Sequence, residues 1–415
     1  MTPTTILFIF FLVYSAEYLI STILTIMNLN SSLINREIVP SFIRNILSAK
    51  QYEKTVSYTQ KKGKFSLMTS SIMTVFTAFV ILTGIPPRIF NMIGELGWHP
   101  YWEGIIYILL LTGLSSLIAL PFSLYSQFVV EEEYGFNKMS FKLYLTDMIK
   151  NALLSTFLFV PLLLGLFFFI DKSGGLWWLY GYLFFTAFQL LLSLIYPLVI
   201  APLFNKFTEL EEGPLRERLF ALAEKASFKT SGIYIMDGSK RSAHSNAYFT
   251  GFGKSRRIVL FDTLTKQLSH EELEAVLAHE IGHFKKKHIL KRLIFSLASA
   301  FFLFYGLSLI LDYVPLFRAF GFMEASLPAL LVILSFLIGP LSFFFKPIFS
   351  LFSRRDEYEA DRFAAKVLMD HRPLVNALVT LGKENLTNLT PHRMYSAFHY
   401  SHPVLSERIA ALEKT

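Results

Sequence analysis

Seven long, unbroken apolar stretches divide the chain. Each has about 20 residues, the length that a helix rising 1.5 Å per residue needs to cross a hydrocarbon layer about 30 Å thick. Their side chains are continuously apolar and do not alternate with polar ones, which disfavours the strands of a membrane β-barrel. The pattern predicts seven transmembrane helices at residues 6–27, 65–85, 104–129, 149–170, 176–200, 289–311 and 325–345.

The composition supports a multi-pass membrane protein. Hydrophobic residues make up 53% of the 415 residues and charged residues only 17%. Soluble domains typically have about 45–50% apolar and about 25% charged residues. Such a composition excludes an intrinsically disordered chain. The chain has no cysteine, which excludes a disulfide-stapled secreted domain, thiolate catalysis and cysteine-ligated metal sites.

Lysine and arginine are distributed unevenly between the two ends of the predicted spans. The segment between the first two spans holds seven of them, whereas the linkers at the opposite end hold one each, namely Arg88, Lys172 and Arg318. The positive-inside rule therefore predicts an external or lumenal N-terminus. It places residues 28–64, 130–148, 201–288 and 346–415 in the cytosol. The net charge of +8 then reflects orientation and gives no reason to expect nucleic acid as a partner.

One carboxylate interrupts the first predicted span. Glu17 lies near its middle, where an isolated charge in contact with lipid is costly. The side chain is therefore expected to face protein or water. It either pairs with another helix or lines an internal aqueous cavity, and both alternatives stay open.

The strongest chemical signal lies in residues 268–288. Ser269 followed by Glu272 is a capping box, which predicts that a helix begins there. His279, Glu280 and His283 on that helix form an H-E-x-x-H pattern. Residues four apart share a helix face, so the two imidazoles can bind one zinc ion while Glu280 takes a proton from water. An ordinary surface helix with two histidines is the alternative.

A hydrolytic zinc site needs a third protein ligand and one position open to water. Residues 353–361 follow the seventh span and hold Glu357 and Asp361, four residues apart on one helix face. Glu359 would lie roughly across the helix from Glu357, which makes it a poor alternative ligand. By itself this segment also fits a charged helix next to the membrane.

These motifs resemble the type I CAAX prenyl proteases, which are integral-membrane zinc endopeptidases with seven spanning helices. The resemblance rests on HEIGH at 279–283 and SRRDEYEAD at 353–361, together with EEEYGFNK at 131–138 and YPLVIAPLFNKF at 196–207. SAHSNAYFTGFGKSRRIVLFDTL at 242–264 and YSHPVLSERIAAL at 400–412 complete it. It implies an all-α multi-pass fold, with the seven helices around a water-filled chamber and a small β-hairpin in a mainly helical catalytic region.

The resemblance also implies the roles of the site residues. One zinc ion per chain would be held by His279, His283 and Glu357, with Glu280 as the general base. Asp361 matches the position described as the family's proton donor. A carboxylate there also suits a different role, in which it orients an imidazole or an arginine.

Three further residues match family positions near the active centre. The hairpin is expected to pair strands at 247–250 and 257–262 through a turn that begins at Gly251, and its edge would bind the substrate backbone as an added strand. Asn246 would hold a peptide carbonyl, or it is a strand-end cap. His402 would stabilise the oxyanion, or it packs the C-terminal helix. Arg408 would bind substrate, although an ion pair with an acidic neighbour fits it better.

Other histidines lie near these motifs. His244, His288 and His399 could be zinc ligands only if Glu357 is not one. A structural zinc in a transporter or channel would have four protein ligands, and only three are predicted here.

The predicted organisation has four parts. Residues 1–200 hold spans one to five, 201–288 the cytosolic region with the H-E-x-x-H helix, 289–350 spans six and seven, and 351–415 the cytosolic segment with the third ligand. The resemblance implies removal of the C-terminal tripeptide from isoprenylated proteins in the endoplasmic reticulum or bacterial inner membrane. A membrane quality-control protease with unprenylated substrates is the alternative. Peptide substrate and lipid bilayer are the predicted partners, and the sequence predicts no oligomeric state.

Overall fold

The computed structural model describes residues 1–34, 40, 47–250 and 256–415, and this part of the chain is mainly helical. Its α-helices are α1 (Pro3–Ile34), α2 (Ala49–Leu82), α3 (Ile85–Gly94), α4 (Pro100–Tyr125), α5 (Phe141–Lys172), α6 (Trp177–Ile195), α7 (Ala201–Phe204), α8 (Pro214–Lys225), α9 (Asp262–Gln267), α10 (His270–Lys285), α11 (His288–Ile310), α12 (Val314–Ala319), α13 (Leu327–Leu368), α14 (Arg372–Glu384), α15 (Arg393–His399) and α16 (Leu405–Leu412).

Seven helical segments in the described residues are long and apolar enough to cross a membrane, which confirms the predicted number. They are Pro3–Ile34, Ala49–Leu82, Pro100–Glu131, Phe141–Lys172, Gly174–Phe204, His288–Ile310 and Leu327–Leu368. Several of these segments continue well past the apolar stretch that the sequence predicts to lie in lipid. The protein is therefore a multi-pass integral membrane protein whose helices extend into the region that carries the polar motifs.

Two helical segments change to π-helical geometry at the C-terminal ends of predicted spans. These segments are Ser126–Glu131 after α4 and Tyr196–Ile200 after α6. Both adjoin sequence motifs that carry the family resemblance, and Pro197 removes one backbone donor in the second. π-helical insertions often occur near functional sites, and both of these lie at the end of the bundle that joins the catalytic region.

A four-stranded sheet forms the non-helical part of that region, with strands β1 (Phe207–Glu209), β2 (Gly232–Met236), β3 (Ala247–Thr250) and β4 (Arg257–Phe261). The strand order is β1-β2-β4-β3, with β2 and β4 parallel and β3 and β4 antiparallel. The predicted hairpin is thus confirmed as β3 and β4, except that Asp262 begins α9. The turn predicted to begin at Gly251 lies outside the described residues. β3 is an edge strand of this sheet.

One helix connects the membrane to the catalytic region without interruption. α13 has 42 residues, and its first half is the seventh predicted span. Its last turns carry Glu357 and Asp361, so the boundary predicted at residue 350 falls inside this helix. A core of buried side chains from the sheet, α8, α10, α13 and α14 holds the end of α13 in place, and Leu219, Ile233 and Ala364 are among its fully buried members.

Candidate metal centre

The H-E-x-x-H helix begins where the capping box predicts. Ser269 is the N-cap of α10, where its Oγ accepts a hydrogen bond from the backbone N–H of Glu272 and its own N–H donates to Glu272 Oε2 at 2.8 Å. Leu273, Leu277 and Ile281 of the same helix are buried in the core of the sheet region. This burial orients α10 so that its histidines face α13.

Three side chains converge between α10 and α13. The Nε2 atoms of His279 and His283 are 3.2 Å apart, and Glu357 places its two carboxylate oxygens 3.4 Å and 3.3 Å from them. Among the described residues this is the one group of three histidine or acidic side chains whose ligand atoms lie within 4.8 Å of one another. Two imidazole nitrogens and a carboxylate are the donor set of catalytic zinc sites that keep a fourth position for water.

A glycine allows the two helices to approach closely enough for this geometry. A Cβ atom at Gly282 would lie 3.0 Å from Ala360 Cα and 3.1 Å from the Ala360 carbonyl oxygen. Both of these atoms belong to the backbone of α13, which cannot move aside easily. The glycine of HEIGH therefore sets the distance at which Glu357 meets the two histidines.

Asp361 and Arg408 position His279 through its Nδ1 atom, the ring nitrogen that does not face the cluster. Asp361 Oδ1 lies 2.8 Å from His279 Nδ1, and the Arg408 guanidinium donates to both oxygens of the same carboxylate at 2.6 Å and 2.9 Å. Asp361 is 2% exposed and Arg408 is 9% exposed, so both charges are buried. Because every oxygen of Asp361 is engaged, this geometry favours orientation of the imidazole over proton donation, and it favours the ion pair over substrate contact for Arg408.

Glu280 lies beside the ligands but does not belong to their cluster. Burial raises the pKa of its carboxyl, while the adjacent His279 and His283 lower it. His279 behaves differently: burial lowers its pKa, but hydrogen bonds to Asp361 and Glu357 raise it to about 9. Since the neutral imidazole is the form that binds a metal, we expect zinc to compete with protons for His279.

His402 borders the cluster, whereas Asn246 has no hydrogen bond to it within the described residues. His402 Nε2 is 3.4 Å from Glu357 Oε1, and its side chain is 64% exposed. Asn246 is exposed at the start of β3, where its Oδ1 accepts a hydrogen bond from the Ala247 N–H at 2.9 Å. β3 packs on α10 through Phe249 and Phe284, whose ring centroids are 6.0 Å apart. The edge strand therefore runs beside the helix that carries the two histidines.

The structure assigns His288 a place that the sequence did not predict. It is not in the ligand cluster, but its Nδ1 lies 3.0 Å from His283 Nδ1, and its Nε2 lies 3.3 Å from Glu359 and 3.4 Å from Asp356. His288 is 1% exposed. A His283 ring that offers Nε2 to a metal carries its proton on Nδ1, which it donates to His288. The five-residue spacing from His283 is the sequence signal for this contact.

We expect His288→Ala to weaken zinc binding by about 10- to 100-fold, because losing a partner that orients a metal-bound histidine has effects of this size. Competition between the purified protein and a chromophoric chelator measures the affinity. His270→Ala is the control, since His270 is an exposed histidine on α10, the helix that carries His279 and His283. Equal zinc affinity in the His288 variant and the wild type would contradict this positioning role.

His244 and His399 also lie outside the ligand cluster. His244 stacks on Phe136 at 4.0 Å, and its ring nitrogens lie 2.9 Å from Asn385 Oδ1 and 3.4 Å from Glu131 Oε2. Tyr58 donates to the same glutamate at 2.9 Å. These contacts tie the loop before β3 to the membrane helices. His399 packs on Tyr395, with ring centroids 4.5 Å apart.

Comparison with protein families finds two matches that together span nearly the whole chain. Residues 29–206 match the profile described as the CAAX prenyl protease N-terminal, five membrane helices. Residues 209–415 match the profile of peptidase family M48. The two matches meet at β1, the first strand after the membrane helices.

Individual relatives agree with these matches. The chain is 38% identical to the CAAX prenyl protease 1 homolog of Arabidopsis thaliana, with 90% of each chain covered. It is 36% identical to CAAX prenyl protease 1 of Saccharomyces cerevisiae, covering 90% of this chain and 88% of the yeast protein. The crystal structure of S. mikatae Ste24p superposes with a TM-score of 0.91 at 34% identity, covering 100% and 99% of the two chains.

Proposed function

The chain belongs to the CAAX prenyl proteases of peptidase family M48, and we propose that it holds one zinc ion with His279, His283 and Glu357 and cleaves the C-terminal peptide from isoprenylated CAAX proteins. The family is one of membrane zinc metalloproteases. The observation that supports these three residues as the zinc ligands is that their ligand atoms all lie within 4.8 Å of one another. The donor set, with two imidazoles and one carboxylate, fits zinc.

Zinc, when bound, supplies a Lewis acid and lowers the pKa of its water from about 15.7 towards about 7. Glu280 is the general base and acid in this proposal: its carboxylate would take a proton from the attacking water and give it to the leaving amine, a role that suits a carboxyl whose pKa is raised by burial. His402 donates a hydrogen bond to the oxyanion that develops on the scissile carbonyl. Asp361 and Arg408 are positioning residues, because they reach the reaction only through His279.

The free edge of β3 binds the substrate backbone in this proposal. In the part of the chain that the structure describes, its residues pair with β4 on one side only, so the N–H and C=O groups of the other edge are available to an extended peptide. Backbone pairing of this kind gives affinity with little dependence on side chains. Within the described residues, the Asn246 side chain makes its one hydrogen bond through the oxygen, to the Ala247 N–H. Its amide nitrogen is thereby left to donate to a peptide carbonyl.

The substrate class is tested with two peptides that differ only in the lipid. We expect a farnesylated CAAX peptide to be cleaved at least tenfold faster than its unprenylated twin, because burial of each additional methylene contributes about 0.8 kcal/mol. The kcat/KM values of the two peptides, together with mapping of the cleavage site, measure the preference. Equal turnover would instead favour a quality-control protease with unprenylated substrates.

A transporter or channel with a structural zinc is disfavoured by the site itself. A closed structural site has four protein ligands, whereas the group found among the described residues has three. The predicted water-filled chamber stays part of the proposal. Glu17 is only half-buried within the bundle, which is compatible with a place at the wall of such a chamber.

We further propose that the metal centre faces the cytosol. We also propose that the chain is divided into the four parts predicted from the sequence, with the last boundary inside α13. The excess of lysine and arginine at this end of the spans supports the orientation. The absence of native cysteine allows single cysteines to report topology. Met323 is 74% exposed at the opposite end, and Glu413 is exposed near the C-terminus.

We expect a membrane-impermeant maleimide to label Met323→Cys in intact cells and Glu413→Cys only after permeabilisation. If the protein resides in an internal membrane, sealed vesicles with a known orientation replace the intact cells. The cysteine-free parent chain is the control for background labelling. In intact cells, labelling of Glu413→Cys without permeabilisation would contradict the orientation. In sealed vesicles with the cytosolic face outside, the expected pattern is inverted, and labelling of Met323→Cys without permeabilisation would contradict it.

A further inference from the structure

A hollow of about 330 Å³ lies at the end of the bundle away from the metal centre. This volume falls within the range of about 300–1,000 Å³ that is usual for ligand pockets. The residues that line it come from four helices and the turns that follow them. They are Leu7, Ile81, Leu82, Thr83, Gly84, Pro87, Arg88, Asn91, Arg318, Ala319, Phe320 and Gly321.

The backbone of this hollow is shaped by a close approach between two turns. Gly321 follows α12 with a φ of +85°, and a Cβ atom there would lie 3.1 Å from the Pro87 ring. A side chain at this position would therefore be strained and would also crowd α3. The glycine brings the segment with Arg318 close to the helix with Arg88, so that both arginines border one space.

The charges around the hollow are unbalanced. Of the three basic residues in the linkers at this end, Lys172 is paired with Asp171 at 2.9 Å. Arg88 and Arg318 both line the hollow, and within the described ranges neither guanidinium has an ion-pair or hydrogen-bond partner. No lining residue is acidic. Asn91 adds a third polar side chain without a partner in the same part of the chain. The hollow therefore presents donors for an anion and nothing that neutralises them.

The position relative to the membrane identifies the kind of anion. Leu82 is the last residue of α2, and it is 67% exposed at the edge of the predicted lipid layer. Leu7 and Ile81 continue this apolar surface into the hollow. A planar guanidinium fork binds phosphate or carboxylate through two parallel hydrogen bonds. Of these two anions, phosphate is the one that phospholipids place above acyl chains at this depth.

We propose that this hollow binds a phospholipid, with its phosphate between Arg88 and Arg318 and an acyl chain along Leu82. The ligand class is a phosphodiester with an apolar tail. The bound lipid anchors α3 and α12 at the end of the bundle opposite the metal centre. This site is independent of the protease chemistry, and neither arginine belongs to the machinery described above.

The test uses the purified full-length, zinc-loaded protein after removal of lipid. Phosphatidylglycerol is added and counted by native mass spectrometry, and the thermal unfolding midpoint is recorded in parallel. Diacylglycerol has the same tails without phosphate, and inorganic phosphate has the anion without tails. We expect phosphatidylglycerol to bind one molecule per chain at this site and to raise the midpoint, and we expect the other two to do neither.

The double variant Arg88→Gln/Arg318→Gln is expected to lose at least tenfold in affinity for phosphatidylglycerol, while its zinc content and peptidase activity stay unchanged. Lys172→Gln is the matched control, since it removes a basic residue at the same end of the spans that is already paired with Asp171. Equal phosphatidylglycerol binding by the double variant and the wild type would overturn the proposal. Equal stabilisation by diacylglycerol or by inorganic phosphate would overturn its assignment to a phospholipid.

Discussion

Replacement of Glu280 by glutamine is expected to lower kcat by about 10²- to 10⁴-fold, the range for loss of a general acid–base residue, while the protein keeps one zinc ion per chain. Glutamine has nearly the shape of glutamate but cannot accept the proton of water. Glu280 is next to His279 on α10, yet it is not one of the three side chains whose ligand atoms converge. The substitution therefore removes the base and leaves the metal site in place.

The measurement combines peptide cleavage with elemental analysis on the same preparation. Glu274→Gln is the control, because it makes the same chemical change on the same helix at a carboxylate that pairs with Arg218 at 2.9 Å. Hydrolysis at the wild-type rate would remove Glu280 from the mechanism. Loss of zinc together with activity would instead assign Glu280 a part in metal binding.

Breaking the pair between Asp361 and Arg408 is expected to have the largest effect on stability. In Asp361→Asn the buried Arg408 guanidinium loses the carboxylate that it contacts at 2.6 Å and 2.9 Å. Removing one partner of a buried ion pair costs about 3–5 kcal/mol, because the other charge stays buried without compensation. The same change removes the charged acceptor beside His279 Nδ1, so zinc affinity is expected to fall by about 10- to 100-fold.

Unfolding followed by tryptophan fluorescence in lipid nanodiscs, at fixed zinc concentration, measures the first effect. Asp370→Asn is the control. Asp370 also accepts more than one hydrogen bond from an arginine, Arg372, but this pair lies at the exposed surface. We expect no measurable change in that variant. Asp361→Leu combined with Arg408→Met removes both charges and is expected to recover most of the stability. A single variant as stable as the wild type would show that the pair contributes little.

The parts of the fold that depend on local sequence were predicted well. The seven apolar stretches became seven helices because their length and continuity leave no other way to satisfy the backbone in lipid. The capping box at Ser269 marks the start of α10 because both of its hydrogen bonds are made within four residues. The spacing of His279 and His283 placed them on one face for the same local reason.

Features that depend on contacts between distant segments were harder to predict. β1 and β2 are short: β1 pairs antiparallel with β2, and β2 pairs parallel with β4. No turn signal in the sequence predicts the parallel pair. The chemistry of residues 353–361 was predicted, but the sequence did not show that they continue the seventh span as one helix. His288 faces carboxylates 71 residues away, and only the packing of α11 against α13 creates that contact.

The continuity of α13 makes the metal centre sensitive to the bilayer. Glu357 lies about 20 residues beyond the middle of the predicted span, so the helix acts as a lever about 30 Å long. A change of about 2° in its tilt would move the carboxylate by about 1 Å, whereas metal–ligand distances tolerate only about 0.2 Å. The close contact between Gly282 on α10 and Ala360 on α13 therefore has a second role besides bringing the ligands together. This contact holds α10 and α13 together, so that they tilt as one body when the membrane is thicker or thinner. The distance between the Glu357 carboxylate and the two imidazoles then stays unchanged.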